Sequence, residues 1–327
     1  MIIPKEKLVE REPVSGVLLV DKPSGPTSHD IVDRLRKITG MERVGHGGTL
    51  DPLASGLLPI FLGDATKMTG FVQDHDKSYN FDVTLGASTE TYDSEGKVTE
   101  VSPVPPSLEK ERIEEVLSSF LGKQWQVPPM YSAIKQNGVP LYKLARKGLS
   151  VERPSREISV HSLQLLSVEG TVLSLRTHCS KGTYVRVLAH EIGKNLGCGG
   201  YLSQLRRTSV GEFSIADATD LSTIESVWSR QDLETSLVGP DTVFKSLPSV
   251  TLLPHVQYRL QKGGMIPGVW IFRKEGLFQA KDTIRILSQS GQILGLAHAL
   301  LDSGDAQEFP GGIPVARVCL MFRPIYS

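Results

Sequence analysis

The segment Val44-Gly45-His46-Gly47-Gly48-Thr49-Leu50-Asp51-Pro52-Leu53-Ala54-Ser55-Gly56 constrains this chain more than any other. It is too rich in glycine for a regular element, yet patterned apolar sequence encloses it on both sides. Upstream, Gly16 to Val20 reads as a buried strand that leaves the core through the turn Asp21-Lys22-Pro23-Ser24-Gly25-Pro26. A helix follows, with Thr27 and Asp30 as a capping box, Ile31, Val32, Leu35 and Ile38 at helical spacing, and Gly40 as the stop. Downstream, the run Leu57 to Leu62 reads as another core element. The segment is therefore a loop clamped between core elements, and Pro52 holds Asp51 in extended conformations at its centre.

The rest of the chain supports an α+β class with a mixed or antiparallel sheet. Strands are predicted at Lys77 to Leu85, Lys97 to Val101, Ile158 to Val168 and Val172 to Cys179, with the acidic turn Glu90 to Gly96 between the first two. Ile113, Val116, Leu117 and Phe120 mark one helix face; Val185, Leu188, Ala189, Ile192 and Leu196 mark another, stopped at Gly197. Between these lies an inserted arm, about 124–152, whose centre from Gln126 to Gly148 is punctuated by prolines, tyrosines and basic residues. Proline, glycine and serine interrupt the chain again at 236–250. Short apolar runs at Val269 to Phe272, Thr283 to Leu287, Ile293 to Ala297 and Val318 to Phe322 then predict a small β-rich module. A length of 327 residues, at about 150 per domain, agrees with two units: 1–245 with the inserted arm, and 250–327.

Charge narrows the function. Lys and Arg total 36 and Asp and Glu 36, yet they are segregated: counted by segment, 81–120 carries −6, 121–210 carries +9 and 211–250 carries −5. On charge alone the basic block is equally a solvated basic face or a local field suited to a polyanion, with the acidic blocks restraining indiscriminate binding. No run approaches the roughly 18 apolar residues of a membrane span. Met1 to Lys7 mixes both charges, against a signal peptide, and the widely spaced Cys179, Cys198 and Cys319 fit reduced thiols, so a cytoplasmic protein is expected.

Familiar catalytic motifs fail. Gly45-His46-Gly47-Gly48 and Gly197-Cys198-Gly199-Gly200 begin like dinucleotide fingerprints, but Leu50 and Leu202 occupy the third glycine position. His190-Glu191 opens like a zinc-protease helix, yet Lys194 stands where the second histidine belongs. Neither metal nor nucleotide cofactor is indicated. Asp51 remains as one acid in an unusual loop. Taken alone, Asp51 is better accounted for as an ordinary Asp turn than as a functional carboxylate. A carboxylate flanked by Leu50 and Leu53 needs a partner, and Arg186, on the first turn of the helix after Lys181-Gly182-Thr183-Tyr184, is a candidate. On the arm, Lys143, Arg146 and Lys147 at i, i+3 and i+4 predict a basic helix stripe. Tyr131, Tyr142, Lys135, Arg153 and Arg156 add stacking surfaces and phosphate donors suited to folded RNA.

Four blocks in order resemble one family. Gly16 to Gly25, His46 to Pro52, Cys179 to Arg186 and Leu205-Arg206-Arg207 are similar to the bacterial TruB-type tRNA pseudouridine synthases. The resemblance runs from about Gly16 to Ala218. It implies conversion of uridine 55 in the TΨC loop of tRNA to pseudouridine, without metal or cofactor, by a catalytic domain with an inserted thumb and a PUA-type RNA-binding module. It further implies that Asp51 is the catalytic aspartate, Tyr79 a tyrosine stacked on the base, Arg186 the partner of the aspartate, Tyr184 a pocket residue and Leu205 an apolar wall. His46 would fill the space left by the flipped nucleotide, and Lys22 lies in the first RNA-facing motif. Gly47 stands where several relatives have threonine. A monomer needing no protein partner is expected, and the competing reading is a non-catalytic tRNA-folding chaperone or scaffold.

Overall fold

The computed structural model describes residues 14–106, 108–132, 134–136, 138–227, 235–304 and 312–322. The charged start, Met1 to Lys7, lies outside them.

Strand β1 (Gly16–Lys22) leads through the turn at Pro23–Pro26 into helix α1 (Ser28–Thr39), then β2 (Val44–His46), β3 (Ser55–Leu62), α2 (Thr69–Gln73) and β4 (Lys77–Leu85). Thr27 and Asp30 cap α1 reciprocally and Gly40 closes it in the left-handed conformation, as their residue types predict. The glycine-rich segment is a loop only from Gly47 to Ala54: Ser55 and Gly56 open β3, and Val44–His46 pairs antiparallel with the end of β3, because close pairing outweighs glycine's weak strand preference there.

A hairpin of β5 (Ala87–Thr89) and β6 (Val98–Val101) precedes α3 (Lys110–Ser118) and β7 (Gly122–Gln126). The arm carries a two-residue hairpin, β8 (Lys135–Gln136) and β9 (Val139–Pro140), and α4 (Leu141–Ala145). That helix is a single turn. Arg146 caps it and Lys147 lies beyond it, so the basic stripe of Lys143, Arg146 and Lys147 rests on one turn and its exit, all three exposed. Strands β10 (Arg156–Glu169) and β11 (Val172–Cys179), helix α5 (Val185–Asn195) and strands β12 (Gly200–Val210), β13 (Phe213–Ser214) and β14 (Thr219–Asp220) complete this part, followed by α6 (Leu221–Val227).

Among the described residues the main sheet has the order β14-β1-β3-β12-β4-β11-β10-β7, with β2 and β13 on its flanks. It is mixed: β14 runs parallel to β1, and β12 parallel to β3. Burial explains its two sequence styles. Leu18 and Val20 of β1 pack into the core beneath α1, α3 and α5, while Val17 and Leu19 pack into a second core on the opposite face. Covered on both faces, β1 and β3 are continuous apolar runs. Strand β4 instead alternates: Tyr79, Phe81, Val83 and Leu85 enter the helix-covered core, and Ser78, Asn80, Asp82 and Thr84 face the more open side.

The C-terminal residues form a six-stranded sheet, β16-β20-β19-β18-β15-β17, from β15 (Ser249–Leu252), β16 (Met265–Pro267), β17 (Ile271–Glu275), β18 (Thr283–Leu287), β19 (Ile293–Ala299) and β20 (Pro314–Met321). It closes on its own cluster, including Val250, Ile266, Ile284, Ile286 and Val318, the arrangement of a PUA-like module. The run Val269 to Phe272 begins as a 3₁₀ turn and becomes strand only at Ile271. Leu287, Ile293, Leu296 and Leu320 join the second core with Val17, Leu19, Phe61 and Phe244, so the module docks on the face of β1 and β3.

At Gly56 the parallel contact between β3 and β12 is unusually tight. Its φ is +99°, and a Cβ there would lie 2.3 Å from the Arg207 carbonyl oxygen. Gly56→Ala is expected to cost about 2–3 kcal/mol through strain and displacement of β12, read as a lower urea midpoint at unchanged m-value.

Candidate active site

The loop carrying Asp51 is held by its backbone. Ser28 Oγ, at the start of α1, donates to the Leu50 carbonyl (3.0 Å) and accepts from the Leu50 N–H (2.8 Å). Ser24 Oγ donates to the Leu53 carbonyl at 3.0 Å, and the Gly25 N–H donates to the Pro52 carbonyl at 2.8 Å. Lys22 completes the clamp from the end of β1, its ammonium donating to the carbonyls of Pro23 (2.8 Å) and Ala54 (2.7 Å). These bonds satisfy polar groups that a buried loop would otherwise leave unpaired. Lys22 is fully buried, so the RNA-facing position expected for it is replaced by a place behind the loop, where two carbonyls repay the desolvation of its ammonium. Burial draws that ammonium down to about 8, opposed by the nearby Asp51.

Asp51 points toward the start of α5, where Arg186 Nη2 lies 2.8 Å from its Oδ2. The anticipated partnership is present, with a third member. Arg186 Nη1 also reaches Asp93 Oδ2 at 3.5 Å, and both Arg186 and Asp93 are buried. Asp93 belongs to the acidic turn between β5 and β6. It is drawn inward because that turn pairs with β12 through Leu202 N–H to Tyr92 O and Ser94 N–H to Leu202 O, both 2.9 Å. Asp51 keeps 39% of its side-chain surface open to the pocket, yet the depth of surrounding protein pushes its carboxyl above the ordinary value, with Arg186 pulling the other way.

Tyr79 arrives from β4, buried, with its hydroxyl hydrogen-bonded to Arg207 of β12. Burial raises the phenol to about 12, so it stays protonated at neutral pH. Arg207 is 1% exposed, and donates from Nε to the Leu57 carbonyl (2.8 Å) and from Nη2 to the Gly48 carbonyl (3.1 Å). The sequence signal for it was present in the Leu205-Arg206-Arg207 block, but strand alternation alone leaves open which arginine turns inward. Arg206 turns out, to Asp21 at 2.6 Å.

Tyr184 caps α5 and is tied to the root of the arm: its N–H donates to Gln126 Oε1 (2.8 Å) and its carbonyl accepts from Gln126 Nε2 (3.1 Å). Arg156 lies over its ring at 4.5 Å. Asp51, Tyr79, Tyr184, Arg186, Leu205 and Arg207 line one pocket of about 470 Å³, closed further by Lys77, Ser132 and Ile134. That volume suits a small planar ligand with a sugar attached. His46 stands outside the lining, and burial together with Arg207 lowers its imidazole, which favours the neutral ring. Gly47 beside it is packed against Phe61, whose ring would lie 2.8 Å from an added Cβ. Lys143, Arg146 and Lys147 lie away from the pocket on the arm. Among the described residues no helix is long and apolar enough to cross a membrane.

The chain is similar to known proteins in sequence and fold. Residues 36–185 match the model of the TruB family pseudouridylate synthase N-terminal domain, and residues 186–246 that of the tRNA pseudouridylate synthase B C-terminal domain. The chain is 45% identical over 250 residues to tRNA pseudouridine synthase B of Azoarcus sp. (strain BH72), covering 76% of this chain and 82% of that protein. It is 46% identical over 240 residues to tRNA pseudouridine synthase B of Opitutus terrae, covering 73% and 98%. Among solved structures, a Cbf5-Nop10-Gar1 complex contains a chain superposing with a TM-score of 0.74 at 26% identity, over 93% of this chain and 84% of that one.

Proposed function

Since the chain belongs to the TruB family of pseudouridylate synthases and isomerises uridine to pseudouridine in tRNA, we propose that Asp51 is its catalytic carboxylate and uridine 55 of the T loop its target. The observation that carries this reading is the Asp51–Arg186 contact at 2.8 Å on the wall of a pocket of nucleoside size.

The reaction breaks the N1–C1′ bond, turns the uracil, joins C5 to C1′ and exchanges the C5 proton for one at N1. Atoms and electrons balance within the nucleotide, so one oriented carboxylate acting as nucleophile or base supplies what the chemistry needs. Arg186 positions Asp51 and favours its ionised form. Tyr79 meets the base, its phenol protonated and available as a hydrogen-bond donor. Leu205 and Tyr184 wall the pocket so that the detached uracil is retained while it turns. The nucleotide must first leave its stack, at a cost of a few kcal/mol; His46, at the edge of the loop, fills the vacated space. The arm, 124–152, and the module, 250–327, grip the T-stem loop around the 1–245 catalytic unit, and the protein acts as a cytoplasmic monomer. Because Lys143, Arg146 and Lys147 lie off the pocket, tRNA binding and refolding are separable from catalysis.

Tritium released from a tRNA transcript carrying uridine labelled at C5 tests the assignment. One equivalent is expected from the wild-type transcript and none when uridine 55 is replaced by cytidine; equal release from both would place the target elsewhere. Activity is also expected to decline on acidification through a value above the ordinary Asp range, because burial raises the Asp51 carboxyl and only the ionised form acts. A pH–rate profile whose acid limb lies at or below that range would remove Asp51 from the rate-determining ionisation. Charge reversal at Lys143, Arg146 and Lys147 is expected to weaken tRNA binding and reduce the slope of log affinity against log salt by about two, as phosphate contacts are lost. An unchanged slope would locate the RNA surface elsewhere.

A further inference from the structure

On the opposite face of β4 from Tyr79, three side chains from separate parts of the chain converge. Asp76 immediately precedes β4, His161 lies on β10 and His178 on β11. Both imidazoles direct Nε2 at the same carboxylate oxygen, Asp76 Oδ2: His161 at 3.0 Å and His178 at 3.9 Å. The three ligand atoms all lie within 4.8 Å of one another. Donors bound to one ion at about 2.0–2.2 Å stand roughly 3–3.5 Å apart, so closing this group takes only small rotations of half-exposed side chains.

Two features build the arrangement. The pairing of β10 with β11 shifts register between Val160 and Ser162, leaving His161 as the extra residue of a bulge, and such bulges re-aim a side chain. His178 Nδ1 stands 3.0 Å from Ser78 Oγ. With the ring proton on Nδ1 donated to that oxygen, the Nε2 lone pair faces Asp76, the tautomer a metal-binding histidine needs. The Gly211 N–H donates to the Asp76 carbonyl at 2.9 Å and steadies the backbone. Asp74 and Lys181, which flank these segments, are paired with each other at 2.9 Å.

We propose that Asp76, His161 and His178 form a binding site for a divalent transition-metal cation of the zinc and cobalt class. Two imidazoles and one carboxylate select such an ion over magnesium or calcium, which prefer oxygen donors. With each side chain 41–44% exposed, coordination positions remain for water or an outside anion. The site lies apart from the Asp51 pocket, on the other face of the sheet, and the isomerisation does not draw on it. No spacing motif announces it, because residues 76, 161 and 178 meet only through strand pairing.

The test uses the full chain stripped with chelator and titrated with zinc chloride by calorimetry, and with cobalt chloride by visible absorption. One equivalent of each is expected, with cobalt d–d bands. His161→Ala and Asp76→Asn are expected to lower affinity tenfold or more, and His255→Ala, at an exposed remote histidine, to leave it unchanged. Circular dichroism and thermal unfolding of the metal-free variants verify that they fold; should His161→Ala not fold, His161→Gln serves in its place. Binding of equal affinity and stoichiometry in the His161→Ala/His178→Ala double variant would overturn the site, as would no binding by the wild-type chain.

Discussion

Asp51→Asn is expected to reduce pseudouridine formation by on the order of 10⁴-fold while leaving tRNA affinity near that of the wild type. The substitution keeps the shape of the side chain, and removes the anion that the proposed chemistry requires. Arg186 is not orphaned, since Asp93 still faces its other guanidinium nitrogen at 3.5 Å. Folding should not suffer. The Asp51 carboxyl is raised in the folded state, so above the ordinary Asp value its ionised form opposes folding, and a neutral amide removes that penalty. The variant is therefore expected to unfold at the same temperature as the wild type or slightly higher. Tritium release, filter binding and calorimetry on one preparation check all three statements. Wild-type yield from the variant would sink the catalytic role. A collapse of thermal stability would mean that the ion pair, rather than the pocket, is what Asp51 serves.

Arg186→Met is expected to be the more damaging change to the fold. It removes a buried cation from between Asp51 and Asp93 and leaves two carboxylates facing an apolar side chain. Breaking a buried ion pair from one side costs about 3–5 kcal/mol; the loss here falls toward the lower end, because Asp51 keeps 39% of its side-chain surface exposed and Asp93 still accepts from Thr91 Oγ1 and the Glu95 N–H. The loss should appear in urea unfolding at neutral pH and shrink on acidification, as protonation relieves the stranded Asp51 carboxylate. Arg186→Lys should recover part of the stability but little activity, since a single ammonium cannot bridge two carboxylates as the planar guanidinium does. A deficit for Arg186→Met that stays constant from neutral pH down to pH 4 would argue that lost packing, not charge, holds the three residues together.

What the chain encodes locally, it encodes legibly. The capping box at Thr27 and Asp30, the glycine stop at Gly40 and the bounds of β4, β11 and β18 follow from neighbouring residues, because capping and alternation are satisfied within a few positions. The loop around Asp51 and the helix start at Arg186 were readable for the same reason, and the four ordered blocks pointed to the family. Tertiary structure alone decided the depth at which each charge sits. Asp93 is buried only because its turn bonds to β12. Lys22 is withdrawn from solvent because the Pro23 carbonyl and, from the Asp51 loop, the Ala54 carbonyl accept its ammonium. Of the adjacent Arg206 and Arg207, the position of β12 between β3 and β4 sends the second inward. Pattern and propensity act over a few residues, whereas desolvation and charge pairing depend on whatever the fold brings close, and such partners stand at no fixed spacing in the chain.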